Sequence, residues 1–466
     1  MATPPQAGSY RPSKIILQLD GAIYDPVEAA RFPQHRLRFR NDRWAETVGL
    51  AGLSDEQWIG HFGRFEPLPD NLPQPLALRY HGHQFRVYNP DIGDGRGFLF
   101  AQLKDGRDRL LDLGTKGSGQ TPYSRFGDGR LTLKGGVREV LATEMLEALG
   151  VETSKSFSLI ETGEELQRGD EPSPTRSSVL VRLSHGHIRI GTFQRLATIR
   201  DEATMRQLTA YVLEQYFGEA AGDEPEARLL GHVVKGTARL AASYMAAGFV
   251  HGVLNSDNIN VTAESFDYGP WRFTPLWDGG FTAAYFDHQG LYAFGRQAQA
   301  IHWDVVQLAI ALRLVASAEA LAPVLDEFPA RYEDAFRDAI FARLGIAPRG
   351  EAEDLALLQA IDGALGTGMV EIDRFFFDWA GGRRRGPSPA DSAYATPQFA
   401  EFVAAVEQFR PMRALDHDYW RDEAPCSMHI DEVEAIWAPI AEGDDWSHFE
   451  AKVAAVRRMG AAMGGG

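Results

Sequence analysis

Cysteine is almost absent from this sequence of 466 residues, in which Cys426 is the single example. One thiol cannot form an intramolecular disulfide, and it excludes zinc and iron–sulfur sites that need several cysteines. Long apolar runs are also missing, since none reaches the roughly 18 apolar residues of a membrane span. The first 21 residues contain no apolar core of signal-peptide length. We therefore expect a soluble, cytoplasmic protein in a reducing compartment.

Positively charged residues are also fewer than negatively charged ones. The chain has 47 lysines and arginines against 64 aspartates and glutamates, which gives a formal net charge of −17. Such a chain repels nucleic acid and anionic membranes, so we expect neither as a main partner. Hydrophobic residues make up 44% of the sequence, which is enough for a sizeable buried core. At about 100–200 residues per domain, the length predicts two to four domains or one large domain with insertions.

The composition and the spacing of apolar residues change along the chain. Residues 1–75 are mixed and punctuated by proline, and we interpret them as an N-terminal extension. Short apolar runs between glycine turns predict a small β-rich lobe over residues 76–200. Apolar residues at helical spacing predict a helical lobe over 201–345 and a helical C-terminal extension over 346–466. A segment near 381–397 has the composition of a linker.

Several elements can be assigned inside the two lobes. The runs RGFLFAQL (96–103) and SSVLVRL (177–183) predict strands. Residues 137–150 and 228–248 predict helices, each of which ends at a glycine. The second helix leads directly into the segment with the strongest chemical signal.

That segment is HGVLNSDNINVTAESFDYG, residues 251–269. Its start matches the protein-kinase frame H-R-D-L-x-x-x-N, with Asn258 in the place of the metal-binding asparagine, and its DYG resembles the kinase DFG. Asn258 and Asp267 offer hard oxygen ligands, which suit Mg²⁺ or Mn²⁺. The kinase base would fall at Val253, which cannot accept a proton. Asp257 is the only carboxylate of the loop; it is a candidate replacement base, and the alternative is that it caps a turn.

A lysine and a glutamate precede this segment in the order that kinases use to hold nucleotide phosphates. Lys116 follows a β-like run, and Glu139 stands near the start of a predicted helix. Two GDGR turns, at 93–96 and 127–130, would let backbone N–H groups approach phosphates while an arginine adds charge. Taken alone, each turn is better explained as a tight hairpin turn.

Two arginines, Arg182 and Arg189, flank the segment LSHGHI. They are seven positions apart, so a bend in the chain is needed to bring both to one site. Together with Lys116 they would suit a buried triphosphate tail. Without the other motifs we would interpret them as surface charge.

Two His-x-His pairs, His81/His83 and His185/His187, raise the question of a zinc site. A glycine separates the members of each pair, and neither pair comes with the carboxylate pattern of a hydrolase. We interpret these histidines as packing and hydrogen-bonding residues of loops.

The motifs together resemble the selenoprotein O (SelO, YdiU) family of protein adenylyltransferases, which have a pseudokinase fold. The shared segments are YHGHQF, IGDGRG, TKGSGQTPYSRFGDGR, VREVLATEMLEALG, VRLSHGHIRIGTF, GFVHGVLNSDNINV, FDYGPW and YAFGRQ, in order over roughly residues 76–315. The resemblance implies an α+β, protein-kinase-like fold of two lobes, with a small β-rich N-lobe and a helical C-lobe. It also implies transfer of AMP from ATP to Ser, Thr or Tyr hydroxyls of proteins, possible self-modification included, with release of pyrophosphate. The nucleotide would lie reversed relative to kinases, with the γ-phosphate inward.

The resemblance assigns roles residue by residue. It makes Asp257 the catalytic base, and Asn258 and Asp267 the ligands of Mg²⁺ or Mn²⁺. The implied nucleotide-binding residues are Gly93, Gly95, Arg96, Lys116, Asp128, Gly129, Glu139, Arg182, Arg189 and Asp267.

The chain departs from the family pattern at some positions. Arg86 stands where the family usually has glycine after HQF, and a basic LKGGVRE, with Lys134, stands where polar residues usually precede the helix. The stretch after about residue 380 matches the pattern poorly, and no cysteine stands near the end, so redox control from the C-terminus is not expected.

Two other functions remain open from the sequence. A kinase would transfer the γ-phosphate and leave phosphate on its product. A pseudokinase scaffold would bind nucleotide without turnover; Val253 favours this alternative, and the intact pair of Asn258 and Asp267 argues against it.

Overall fold

The structure is a computed structural model that describes residues 8–169 and 171–464. The first seven residues of the predicted N-terminal extension and the last two of the predicted C-terminal extension lie outside these ranges.

Strands dominate the first part of the described chain. They are β1 (Pro12–Ser13), β2 (Tyr24–Pro26), β3 (Arg36–Arg40), β4 (Leu76–Leu78), β5 (Gly82–Gln84), β6 (Val87–Asn89), β7 (Leu99–Lys104), β8 (Leu110–Lys116), β9 (Leu131–Thr132), β10 (Lys155–Leu166) and β11 (Thr175–Ser184). The helices of this part are α1 (Asp42–Thr47), α2 (Asp55–Phe62) and α3 (Leu133–Ala148), with a 3₁₀ helix at Ile15–Ala22.

Most of these strands form one antiparallel sheet, in the order β2, β4, β7, β8, β11, β10, β3. The predicted strands at 96–103 and 177–183 are confirmed as β7 and β11. Strand β8 is buried along its whole length because both faces of the sheet are covered. Leu110 packs on the side of α3, whereas Leu111 and Leu113 pack toward α1 and α2. Strands of the N-terminal segment also pair in this sheet, and the boundary at residue 75 stays a prediction.

Helix α3 lies against this sheet and begins earlier than the sequence indicates. The Thr132 hydroxyl accepts a hydrogen bond from the backbone N–H of Gly135 at 3.1 Å, so the cap precedes the LKGG segment. The expectation that this basic segment lies before the helix is therefore wrong, because it forms the first turn. Gly136 is needed there, since a Cβ would lie 2.4 Å from Leu159 of the sheet.

The second part of the described chain is mainly helical. Its elements are α4 (Ile190–Ile199), α5 (Glu202–Tyr216), α6 (Pro225–Ala247), β12 (Phe249–Val250), β13 (Arg272–Phe273), α7 (Gln297–Leu312), α8 (Ala318–Leu325), α9 (Phe328–Leu344), α10 (Glu351–Leu365), α11 (Ile372–Asp378), α12 (Asp391–Tyr394), α13 (Pro397–Val406), α14 (Ile430–Gly443) and α15 (Ser447–Ala462). Short 3₁₀ turns lie at Ser256–Asn258, Phe294–Arg296, Ala380–Gly382 and Asp418–Arg421.

The long helix α6 sets the position of the motif loop. It ends at Gly248, whose φ of 67° lies in the left-handed region that glycine tolerates. The next residues form β12, which pairs with β13, so the loop between them is held at both ends. The hairpin of β5 and β6 packs on this loop, and the backbone N–H of His83 donates to Ser256 Oγ at 2.7 Å.

The C-terminal helices return to the first part of the chain. Arg457 on α15 donates two hydrogen bonds of 2.7 Å to the buried Glu144 on α3. Within the predicted linker, the guanidinium of Arg385 lies 3.7 Å from the ring centroid of Phe377, so its side chain is packed. The division of the chain into domains stays a prediction.

The expected α+β, kinase-like arrangement is confirmed. A curled sheet with one helix against it is followed by a mainly helical part, with a lysine at the end of β8 and a glutamate on α3. Among the described residues no helix has the length and apolar character needed to cross a membrane.

Candidate active site

A cavity of about 650 Å³ lies between the sheet and the motif loop. It brings together residues that are far apart in the sequence. The predicted site residues that line it are Gly93, Gly95, Arg96, Lys116, Asp128, Gly129, Arg182, Arg189, Asp257 and Asp267.

Lys116 lies at the floor of the cavity between two carboxylates. Its ammonium group contacts Glu139 on α3 and lies 2.7 Å from Asp267 Oδ1. Lys116 and Glu139 are both buried, and the second oxygen of Glu139 has no hydrogen-bond partner within the described structure. A buried charge of this kind needs its partner, so the pair fixes the ammonium group where phosphate oxygens would arrive.

Asp267 is held in its ionised form by surrounding cations. Burial alone would raise the pKa of this carboxyl, but Lys116, Arg182 and Arg96 together lower it well below its ordinary value. Arg182 Nη1 lies 3.4 Å from Asp267 Oδ1. His251 holds the backbone just before Asp267 in place. Its Nε2 lies 3.0 Å from the carbonyl oxygen of Phe266 and must donate a hydrogen bond to it. An anionic oxygen ligand is thus available at the floor of the cavity.

The two predicted arginines both reach the cavity because the chain bends between them. Arg182 is at the end of β11, Gly186 has a φ of 84°, and Arg189 immediately precedes α4. Arg189 donates to Asp94 Oδ1 at 3.1 Å and to the carbonyl oxygen of Asp257 at 3.0 Å. The Nε atoms of both arginines are buried without a partner in the described structure. Such unsatisfied donors favour an anionic ligand with several oxygens.

The two GDGR turns form part of the cavity wall. Gly93 packs against Tyr123, where a Cβ would lie 2.5 Å from the ring, and Gly95 approaches the same residue. Gly129 has a φ of 68°, and its Cβ would lie 2.2 Å from a backbone oxygen. Asp128 binds Arg168 at 2.8 Å; burial opposes ionisation of Asp128, but this contact contributes to a lowered pKa.

Asp257 is a buried carboxylate that also lines the cavity. Burial raises its pKa to about 6, although Arg189 nearby acts in the other direction. Its Oδ1 has no hydrogen-bond partner among the described residues. Gly82 of strand β5 makes room for this side chain, because a Cβ there would lie 2.9 Å from the Cβ of Asp257. A carboxyl with a raised pKa and a free oxygen has the properties of a general base.

Of the two predicted metal ligands, Asp267 lines the cavity and Asn258 does not. Its amide nitrogen donates to the carbonyl oxygen of Val253 at 3.0 Å, which fixes the side chain within the loop. Its role as a metal ligand stays a prediction.

The donor set fits a nucleotide-bound Mg²⁺ or Mn²⁺ better than a metal held by protein alone. Within the described residues, no three His, Cys, Asp or Glu side chains come together as a metal cluster. Asn258 and Asp267 therefore supply too few ligands by themselves, and phosphate oxygens would have to complete the shell, as is usual for Mg²⁺. In the described part of the chain, the four histidines of the His-x-His pairs belong to no such cluster.

Some residues of the cavity were not among the predicted site residues. Asp94 was passed over between Gly93 and Gly95, yet it orients Arg189 and accepts a hydrogen bond from the backbone of Leu78 at 3.0 Å. Its place in the first GDGR turn was the available signal. Tyr80 lies under the guanidinium of Arg189 at 4.3 Å; it opens the shared segment YHGHQF, but it was not among the predicted site residues.

The two departures from the family pattern lie outside this cavity. Arg86 is exposed at the tip of the hairpin with a φ of 63°, the region that favours glycine, and stacks 5.5 Å from the ring of Trp303. Lys134 forms an ion pair of 2.7 Å with Glu434.

Comparison with known proteins shows the family of this chain. The family model described as "Protein adenylyltransferase SelO" matches residues 9–457. The chain belongs to the SelO family. It is similar to the protein nucleotidyltransferases YdiU of Synechococcus elongatus (51% identical, covering 93% of this chain and 92% of that protein) and Gloeobacter violaceus (44% identical, 93% and 92%). The expected enzyme class, a nucleotidyltransferase, is confirmed by these members of the SelO family.

The solved structures that match this chain are only weakly similar to it. A rhoptry antigen kinase domain from Toxoplasma gondii covers 58% of this chain and is covered over 84% of its own length, with 11% identity and a TM-score of 0.29. That similarity is too low to bear on function.

Proposed function

We propose that this protein transfers AMP from ATP to Ser, Thr or Tyr hydroxyls of proteins and releases pyrophosphate. The observation that carries the proposal is one cavity lined by Asp257 together with Lys116, Asp267, Arg182 and Arg189. A base and a set of phosphate-binding cations are the two parts that nucleotidyl transfer requires.

Asp257 accepts the proton of the acceptor hydroxyl in this proposal. The hydroxyl oxygen forms a bond to the α-phosphorus, while the bond from that phosphorus to the bridging oxygen breaks and its electrons leave with pyrophosphate. The raised pKa of Asp257, about 6, keeps its carboxylate basic enough to take the proton near neutral pH. Val253 cannot do this, so the base has moved four residues along the loop relative to kinases.

The cations at the floor hold the leaving group. Arg182 and Arg189 are 4% and 5% exposed, and they add two charges to that of Lys116. A floor with this much positive charge supports a reversed ATP, with the γ-phosphate inward and the α-phosphate toward Asp257. Charge that develops on pyrophosphate would then meet fixed donors, which lowers the barrier.

Asn258 and Asp267 are the residues that would hold Mg²⁺ or Mn²⁺. A bound divalent ion would neutralise phosphate charge and polarise the bond that breaks. Asp267 is prepared for this role because the surrounding cations keep it ionised.

Labelled ATP separates this proposal from its alternatives. The protein is incubated with a heat-treated cell lysate, in which other kinases are inactive, and with ATP labelled at either the α- or the γ-phosphate. We expect protein labelling from the α-label only, loss of labelling in Asp267→Ala, and retention in the control Asp418→Ala, whose carboxylate is 75% exposed. Labelling from the γ-phosphate would show a kinase. Stabilisation by ATP without any labelling would show a scaffold.

A further inference from the structure

A second cavity, which we call the basic cleft, adjoins the first. It measures about 490 Å³ and shares Arg96, Lys116, Arg130 and Arg168 with the nucleotide cavity. Seven cationic side chains and two carboxylates line it, although the chain as a whole carries a net charge of −17. The proposed transfer of AMP makes no use of its outer wall.

Two arginines of this wall have no carboxylate within ion-pair distance among the described residues. Arg138 on α3 donates to the carbonyl oxygen of Trp271 at 3.1 Å and lies 4.8 Å from that ring. Arg272 donates to the carbonyl oxygens of Pro270 and Trp271 at 2.9 and 2.8 Å. Burial and the neighbouring charge of Arg272 lower the pKa of Arg138 to about 10. An anion in the cleft would relieve this repulsion.

Part of the lining of the basic cleft is apolar and exposed. Tyr285 and Phe286 are 83% and 42% exposed, and both line the basic cleft together with Pro270 and Ala283. An inorganic anion would leave these rings in water, whereas a peptide would cover them. The combination of unpaired arginines and exposed aromatic rings therefore favours an acidic peptide segment.

A continuous rim connects the basic cleft to the catalytic carboxylate. Phe286 packs on Phe85 at the tip of the β5–β6 hairpin, with ring centroids 5.7 Å apart. The same hairpin carries Gln84, which lines the nucleotide cavity, and Gly82, which lies against Asp257. An extended chain advances about 3.3 Å per residue, so one segment can place a hydroxyl at Asp257 and side chains a few residues away in the cleft.

We propose that the basic cleft binds an acidic segment of the acceptor protein, next in sequence to the hydroxyl that receives AMP. This inference rests on the proposed adenylyl transfer and adds a substrate class to it. Acceptors would carry aspartates or glutamates beside the modified residue.

Peptide binding tests this inference separately from turnover. The probes are two fluorescent peptides with one tyrosine, the first with a run of glutamates beside it and the second with glutamines in their place. We expect the wild type to bind the glutamate peptide about tenfold more tightly, and Arg272→Glu to lose this preference. Arg421→Glu makes the same change of charge at a side chain that is 77% exposed and outside the cleft, so it should keep the preference. Arg272→Gln, with an unchanged unfolding temperature, covers the case in which Arg272→Glu does not fold.

The outcomes separate the two claims. Equal binding of both peptides by the wild type, or a preference that survives in both Arg272 variants, would overturn the acidic-segment inference while AMP transfer could still stand. A preference lost in Arg272→Glu, without AMP on any peptide, would support the cleft and count against the proposed reaction. If the Arg272 variants weaken binding of pyrophosphate but not of the glutamate peptide, the cleft is a product exit, and the inference is wrong.

Discussion

At the scale of single residues, Asp257 is the proposed base, and its position distinguishes this loop from a kinase loop. Asp257→Asn keeps the shape and removes the basic oxygen. We expect AMP transfer to fall by about 10²–10⁴-fold, while binding of ATP, measured by the shift of the unfolding temperature, is retained. Transfer at the wild-type rate in this variant would show that another group takes the proton.

Gly82 controls the position of that carboxylate without touching the substrate. A methyl group there would lie 2.9 Å from the Cβ of Asp257, so Gly82→Ala must displace the side chain or the hairpin. We expect a loss of AMP transfer of at least about tenfold, since small displacements of a catalytic group are costly. Gly21→Ala, where nothing lies within 4 Å, should have no effect on the rate. Equal activity of the two variants would contradict the role given to Gly82.

At the scale of elements, the partly buried carboxyl of Glu264 makes stability depend on pH. Burial raises the pKa of Glu264 to about 7, against the opposing charges of Lys155 and Arg109, while Glu152 adds to the increase and His185 donates its backbone N–H at 2.7 Å. Because the folded state favours the neutral acid, protonated Glu264 contributes stability to the fold. This contribution is complete below pH 4.5, the ordinary pKa of the group, and is lost as the pH rises through about 7, its pKa in the folded protein.

The variant Glu264→Gln isolates this effect. Between pH 5 and pH 8 the unfolding temperature of the wild type should fall relative to that of Glu264→Gln. Parallel curves for the two proteins would show that Glu264 does not titrate in this range.

The contact of α15 with α3 gives a second test at this scale. Arg457→Ala leaves Glu144, whose side chain is 3% exposed, without its bidentate partner. We expect the free energy of unfolding to fall by about 1–3 kcal/mol, less than for a fully buried pair because Arg457 is partly exposed. The neighbouring Arg458 is 44% exposed and paired with Asp422. We expect Arg458→Ala to lower the free energy of unfolding by less than about 1 kcal/mol. A similar cost for both variants, measured by urea unfolding, would contradict the importance of the α15–α3 contact.

At the scale of the whole molecule, the sequence predicted what is encoded locally. The loop from Asn258 to Asp267 was found from short spacings, and Lys116 and Glu139 from their order before it. The two-lobed, kinase-like fold was implied by the family that these motifs resemble. The predicted start of α3 at residue 137 was wrong, because the cap at Thr132 and close packing on the sheet hold the glycines at 135 and 136 in the helix.

The remainder depends on contacts between distant parts of the chain. The pairing of Asp94 with Arg189, the space that Gly82 leaves for Asp257 and the meeting of Arg138 with the Trp271 loop leave no local pattern. These features appear only once the sheet, the hairpin and the loop are assembled.

The central claim is that one cavity transfers the α-phosphoryl end of ATP and not the γ-phosphate. Its most direct test is the intact mass of the purified protein after incubation with ATP and Mg²⁺ or Mn²⁺, with Asp267→Ala beside it. The account predicts that the wild type gains AMP units and that Asp267→Ala gains none. A gain of phosphate units on the wild type would contradict it.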